Sequence, residues 1–292
     1  MSSIGGVITA LVTPFDREGE LMEDGLRELV EFQIGAGVNG LFLCGTGGSG
    51  AVMRPDQRRR VFEAAAEQAG GRVATIAHVG APSTEEAVAL AGHAEAAGVD
   101  AVGCVPPYYF TPDEASIIDH FRRVAGAVDL PVYVYNIPRH ANTNIGPELM
   151  LRLCEIENIR GVKDSSRDFI QLLEYIRLLP EGGEVLCGTD AYILPALIMG
   201  ARGFISAYAN AFPEAYVRLN DLYLRGEWEA AREEQFRLSS LRRALQRPPL
   251  APHYEALRLR GLEAGYPRRP LRAMNEREAE ALGTELRKLG LL

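Results

Sequence analysis

The chain has 292 residues, is 47% hydrophobic and 24% charged, and carries a net charge of −8. That composition is globular, and the length suits two small domains or one large α/β barrel with an appendage. The acidic balance disfavours nucleic acid, which needs clustered Lys and Arg against phosphate, and no apolar run reaches the ~18 residues that span a bilayer.

The N-terminus, Met1-Ser2-Ser3-Ile4-Gly5-Gly6, lacks the basic and apolar regions of a signal peptide, so a cytoplasmic protein is expected. Eight short β-rich runs follow along the chain: Val7–Val12, Gly40–Cys44, Val73–Val79, Ala101–Val105, Val132–Tyr135, Ile159–Lys163, Glu184–Cys187 and Gly203–Ser206. They are nearly continuous in Val, Ile, Leu and Ala, as strands covered on both faces must be. Amphipathic stretches lie between them, such as Leu26-Leu29-Val30 and Leu172-Leu173-Ile176 at i, i+3, i+4 spacing. Glycines at 37, 98 and 200 end a helical pattern just before the next strand. Eight such units at ~25-residue spacing predict a (β/α)8 barrel over residues 1–224. After Ala211 the strand signals stop. Residues 212–224, 226–246, 251–263 and 275–289 read as helix. The first closes the barrel, and the rest predict a three-helix C-terminal region, 225–292, packed against it.

The four cysteines, at 44, 104, 154 and 187, form no C-x-x-C pair, and three of them end apolar runs. Buried thiols are expected, without a disulfide framework. The five His do not cluster at metal-ligand spacing, so no metal and no organic cofactor is expected. His78 reads as a packed core residue, whereas His140, in a loop, is placed to reach a substrate. Arg58-Arg59-Arg60 and Arg242-Arg243 stand beside acids in helical patterns and read as solvated helix faces.

Of 31 basic residues only two are Lys, Lys163 and Lys288. Codon bias toward Arg accounts for the total but not for which positions stayed Lys. Arg replaces Lys at most surface sites, yet guanidinium stays protonated and cannot replace an amine nucleophile. Lys163 closes the sixth strand, and in a (β/α)8 barrel chemistry sits where the strands end. Burial there disfavours the ammonium form and lowers the pKa, and the free amine can attack a ketone to form an iminium, an electron sink for breaking a carbon–carbon bond. The rival reading pairs Lys163 with Asp164.

The other strand ends supply a constellation. Tyr135 ends the adjacent strand, and its phenol can shuttle protons. The loop Gly45-Thr46-Gly47-Gly48-Ser49-Gly50 offers backbone N–H groups and a hydroxyl suited to a small carboxylate. It also spells G-x-G-x-x-G, but it follows the second strand and the next helix waits for Pro55, so a dinucleotide fold is disfavoured.

These strand ends resemble the dihydrodipicolinate synthase/N-acetylneuraminate lyase family. The likeness rests on Gly40-Leu-Phe-Leu-Cys-Gly-Thr-Gly-Gly, on Tyr135-Asn-Ile-Pro and on Gly161-Val-Lys163-Asp-Ser, and it runs from Gly6 to the C-terminus. It implies that Lys163 is the Schiff-base residue, Tyr135 its proton-transfer partner, and Thr46 a relay that helps bind a pyruvate carboxylate. It also implies that Tyr109 completes a neighbour's site across a dimer interface, that the Ile205 backbone touches the pyruvate moiety, and that the protein is a homotetramer.

Three departures bear on substrate. Gly47 stands where a second hydroxyl residue is usual, and Ser49 where Glu is usual. His140 stands where true dihydrodipicolinate synthases carry the Arg that grips the aldehyde's carboxylate, with Arg139 one step earlier. Asp190 matches a position at which sugar-acid lyases bind hydroxyls, although it could instead cap the following helix. The expected function is pyruvate-dependent condensation with an aldehyde, or cleavage of a 2-keto-3-deoxy sugar acid. True 4-hydroxy-tetrahydrodipicolinate synthase activity, a keto-acid dehydratase using the same lysine, and a non-catalytic keto-acid-binding barrel are the alternatives.

Overall fold

The computed structural model describes residues 4–292. Eight strands, β1 (Gly6–Ala10), β2 (Gly40–Leu43), β3 (Ala74–His78), β4 (Ala101–Cys104), β5 (Val132–Asn136), β6 (Ile159–Asp164), β7 (Glu184–Cys187) and β8 (Gly203–Ser206), form a closed parallel barrel in chain order. β1 closes it against β8, with Ile8 opposite Ile205. The architecture is the expected (β/α)8 barrel, and each strand falls within two residues of its expected limits.

The parallel ladder explains the composition of the strands. Alternate side chains point inward or outward, and both directions are covered. Ile8, Phe42, Ile76, Tyr133, Leu186 and Ile205 fill the barrel's interior. Val7, Leu41, Leu43, Ala77, Val102, Val134 and Val162 pack outward against the helices. Both faces are covered, so the strands lack the hydrophobic-in, polar-out alternation of a half-exposed sheet.

Helix α1 (Glu23–Gly35) follows β1, and α2 (Pro55–Ala69) begins with Pro at its first turn as anticipated. Gly37, Gly98 and Gly200 all have positive φ, at 86°, 80° and 110°, as the chain turns from helix to strand. One expectation fails here. Arg58 on α2 is not on a solvated face: it is 1% exposed. Its guanidinium donates to the carbonyls of Gly80, at 3.0 Å, and His78, where the chain leaves β3. A buried guanidinium needs such acceptors, and here they are main-chain oxygens rather than a carboxylate.

The ring continues through α3 (Thr84–Ala96), α4 (Glu114–Ala125), α5 (Pro138–Ala141), α6 (Pro147–Leu153), α7 (Phe169–Leu178) and α8 (Ile193–Ile198), and the last four helices are α9 (Pro213–Leu224), α10 (Trp228–Ala244), α11 (Ala251–Leu259) and α12 (Glu276–Lys288), in the predicted order. Three connections tie them to the barrel. Gln235 on α10 accepts from the Leu194 amide at 2.9 Å and donates to the Asp190 carbonyl at 2.9 Å. The Tyr254 hydroxyl on α11 donates to the Thr13 carbonyl at 2.9 Å. Arg260 donates to the Ala211 carbonyl at 2.7 Å. None of the described helices is long and apolar enough to cross a membrane.

Candidate active site

The strand ends open into a cavity of about 1180 Å³. Lys163 reaches it from β6, where the register sets it beside Tyr135 on β5 and Leu186 on β7. The lysine is 4% exposed. Its Nζ lies 3.9 Å from the ring centroids of both Phe42 and Tyr135. Aromatic faces soften the desolvation of an ammonium but do not abolish it. Burial brings the Lys163 pKa down to about 7, opposed by the negative charge of Asp190. A substantial fraction is therefore free amine at neutral pH.

The rival pairing with Asp164 is absent. The Asp164 carboxylate accepts from Asn136 at 2.9 Å and from the Ser166 hydroxyl at 2.7 Å. Asn136 is the hub of this side of the barrel. Its amide also donates to Asn144 at 2.9 Å, and its oxygen accepts from the Ile145 amide at 3.0 Å. The Asn of the Tyr135-Asn-Ile-Pro run thus pins the loop after β5, including its short helix α5 (Pro138–Ala141), to the end of β6.

The Tyr135 hydroxyl lies 3.3 Å from Thr46 Oγ1. Burial raises the Tyr135 pKa, against hydrogen bonds to Thr46 and Ser165 that lower it, so the phenol keeps its proton at neutral pH. Its ring meets Phe42 and His78 edge-on, with centroids 5.5 and 5.7 Å away.

The β2 loop supplies the opposite wall. Gly45, Thr46 and Gly47 line the cavity, and the Thr46 and Gly47 amides have no backbone acceptor among the described residues. A side chain at Gly47 would stand 2.9 Å from the Ala10 carbonyl and 3.1 Å from Ala207 Cβ, so the close approach of loop to β1 requires glycine. Gly48 packs beneath the loop, its carbonyl accepting from the Thr13 hydroxyl at 2.8 Å. The loop passes through a short 3-10 turn, Gly50–Val52, before α2. No α-helix opens at the glycines, against a dinucleotide cradle.

Ile205, His140 and Asp190 all border the cavity. Asp190 is buried and its carboxylate accepts from the Ser206 hydroxyl. Desolvation raises its pKa. It does not cap the helix that follows, α8 (Ile193–Ile198), whose N-cap is Tyr192. His140 lies at the rim, its pKa lowered by burial and by Arg139 and Arg167. Tyr109 is outside the cavity of its own chain: it is 81% exposed, with φ +84°, and stacks edge-on against Phe110.

His78 was expected in the core, and it is buried there, but its ring also borders the cavity. Its Nδ1 lies 3.0 Å from the Cys44 carbonyl, which can only accept, so Nδ1 carries the proton. Burial, then the charges of Arg58 and Lys163, push the His78 pKa well down and keep the ring neutral. Cys44, Cys104 and Cys187 are buried free thiols. No group of three or more potential metal ligands exists among the described residues.

Sequence reasoning missed several wall residues. Phe42 could have been found, because its inward phase on β2 matches that of Lys163 on β6. Arg167, Tyr208 and the C-terminal Leu245–Leu250, His253 and Arg272 also line the cavity. Nothing local in the sequence announces that the last helices roof the strand ends.

A parallel (β/α)8 barrel with a buried lysine in a cavity at the carboxyl ends of its strands is the class of molecule these features define. The family model "Dihydrodipicolinate synthetase family" matches residues 3–289, and the chain belongs to that family, whose members are lyases and aldolases. An uncharacterized DapA-like lyase of Halobacterium salinarum is 41% identical over 288 residues, covering 98% of this chain and 94% of that one. The structure of dihydrodipicolinate synthase from Aquifex aeolicus matches with a TM-score of 0.92 at 34% identity, covering 99% of both chains. YagE, a prophage protein of E. coli K12 solved with pyruvate, matches with a TM-score of 0.96 at 29% identity over the full length of both.

Proposed function

We propose that this protein is a pyruvate-dependent class I aldolase or lyase whose Schiff base forms on Lys163. The observation that carries this reading is the desolvated Lys163 amine, held between the Phe42 and Tyr135 rings in the cavity. The neutral amine attacks C2 of pyruvate or of a 2-keto acid. A carbinolamine forms and loses water to give the iminium. Loss of a proton from C3 gives the enamine, which attacks an aldehyde carbon. In the cleavage direction the iminium accepts the electron pair of the breaking C3–C4 bond, and the aldehyde leaves.

Tyr135, protonated and next to Thr46, is suited to deliver the proton that the departing carbinolamine hydroxyl needs and to serve the aldol oxygen. The Thr46 and Gly47 amides and the Thr46 hydroxyl are suited to the pyruvate carboxylate, with the Ile205 backbone on its other side. Gly45 shapes this loop. Asp190 tunes the charge of Lys163 and contributes to binding hydroxyls of a sugar acid. His140 borders the position of the aldehyde's far end. Tyr109, exposed and next in the chain to the cavity-lining Tyr108, would enter a neighbour's site in a homotetramer built from dimers. In this reading residues 1–224 are catalytic, and 225–292 roof the site. No step calls on a metal or an organic cofactor.

The test is turnover of pyruvate paired with aspartate semialdehyde, glyceraldehyde and N-acetylmannosamine, with the reverse reaction on the matching keto acids. Condensation or retro-aldol cleavage is expected for at least one pair. The Schiff-base step should quicken as pH rises through about 7, because Lys163 loses its proton there. Dehydration without carbon–carbon bond exchange would replace the aldolase reading with a keto-acid dehydratase. Binding of pyruvate without any turnover would leave only a keto-acid-binding barrel.

A further inference from the structure

The loop suited to the pyruvate carboxylate stands on two anchors. On the β1 side, the Thr13 hydroxyl donates to the Gly48 carbonyl at 2.8 Å. On the β3 side, His78 Nδ1 donates to the Cys44 carbonyl at 3.0 Å. Gly45, Thr46 and Gly47 hang between them. Within the loop, the Ser49 amide donates to the Thr46 carbonyl at 3.2 Å and the Gly50 amide to the Gly45 carbonyl at 3.1 Å. The segment is therefore a closed turn whose orientation the two anchors set.

Cys44 is where the turn begins. The chain leaves β2 there with φ +53°. The return of the loop crosses the Cys44 carbonyl so closely that a side chain at Gly50 would stand 1.8 Å from its oxygen. No backbone amide among the described residues donates to this carbonyl, and a buried carbonyl needs a donor. His78 supplies it. The residue is 5% exposed, and its other ring nitrogen, Nε2, has no partner among the described residues. An apolar side chain would fill the position without burying an unpaired nitrogen. What the imidazole adds is its N–H to Cys44. The end of β3 that carries the ring is held in turn by the buried Arg58 guanidinium, which donates to the His78 and Gly80 carbonyls.

We propose that His78 is a positioning residue for the substrate carboxylate: its bond to Cys44 sets the direction in which the Thr46 and Gly47 amides point. This deepens the reading of Lys163 as the iminium residue and rests on it. Hydrogen bonds to a carboxylate are directional, so a small rotation of the turn weakens both amide contacts together. His78 acts through the loop and touches no reacting atom. Its ring contacts with Tyr135 and Phe42, at centroid distances of 5.7 and 5.9 Å, are ones that another aromatic ring could make. The N–H donated to Cys44 is not.

The experiment compares wild type with His78→Phe and His78→Leu, which lack the donor, and with His78→Asn, whose side-chain amide places an N–H where Nδ1–H stood. Iminium formation is measured by borohydride trapping over a range of pyruvate concentrations, and in parallel with acetone, a ketone without a carboxylate. Thermal melting reports folding. The donor-free variants should bind pyruvate about tenfold or more weakly with acetone trapping unchanged, and His78→Asn should recover to within about threefold of wild type. Wild-type affinity for pyruvate in a donor-free variant overturns the proposal. So does an equal loss for pyruvate and acetone, which would mark a general packing role, and so does a His78→Asn variant as weak as the donor-free ones. If neither donor-free variant folds while His78→Asn does, the bond serves the fold and the positioning role falls. Absence of a pyruvate adduct in wild type overturns the Lys163 reading instead, so the two failures are distinguishable.

Discussion

Lys163→Arg is expected to lose pyruvate-dependent turnover by about 10⁴-fold or more, measured as kcat with saturating pyruvate. The substitution keeps a positive charge and a long stem, so it separates nucleophilicity from charge. A guanidinium remains protonated even in a desolvated site and has no lone pair to offer a ketone. Lys163→Met adds a stability readout. The buried lysine has its pKa lowered from 10.5 to about 7, so at pH 7 the unfolded chain binds a proton more readily than the folded one. That penalty is fully present below pH 7 and fades as pH rises toward 10.5. Methionine removes it. The inactive variant should therefore be more stable at pH 7, by an amount on the order of a few kcal/mol, and the difference should shrink toward pH 10. A functional group retained at the expense of stability is the pattern expected of active sites.

Tyr135→Phe is the second large effect. The ring remains to flank Lys163 and to meet Phe42 and His78, so the walls of the site survive. What disappears is the hydroxyl 3.3 Å from Thr46. Loss of a positioned proton donor reduces rates by ~10²–10⁴-fold. The fall should appear in kcat and in the rate of iminium formation, with the KM for pyruvate changing little. An equal loss in Thr46→Val would support a relay between the two hydroxyls. A raised KM with kcat intact would instead make Tyr135 a binding residue.

Much of the fold was legible in the sequence because a parallel barrel leaves strong marks. Its strands are largely apolar on both faces, its helices are amphipathic, and glycine punctuates several of the returns from helix to strand. The lysine was legible for a chemical reason: in a chain that replaces Lys with Arg almost everywhere, an amine at a strand end stands out. Other features depended on three-dimensional packing. Arg58 lies in a run of three arginines, and only the approach of α2 to the end of β3 decides which of them is buried. Gly47 and Gly48 are chemically identical, yet one lines the cavity and the other packs under the loop. The roof supplied by Leu245–Leu250 and Arg272 is remote in sequence from every strand end.

The central claim is the covalent one, and it has a direct measurement. The protein is incubated with pyruvate, reduced with borohydride, digested and read by mass spectrometry. The account predicts one added three-carbon acid per chain, on the peptide that contains Lys163, and none on Lys288 or in the Lys163→Arg variant. An adduct on another residue, or no pyruvate-dependent mass at all, would contradict it.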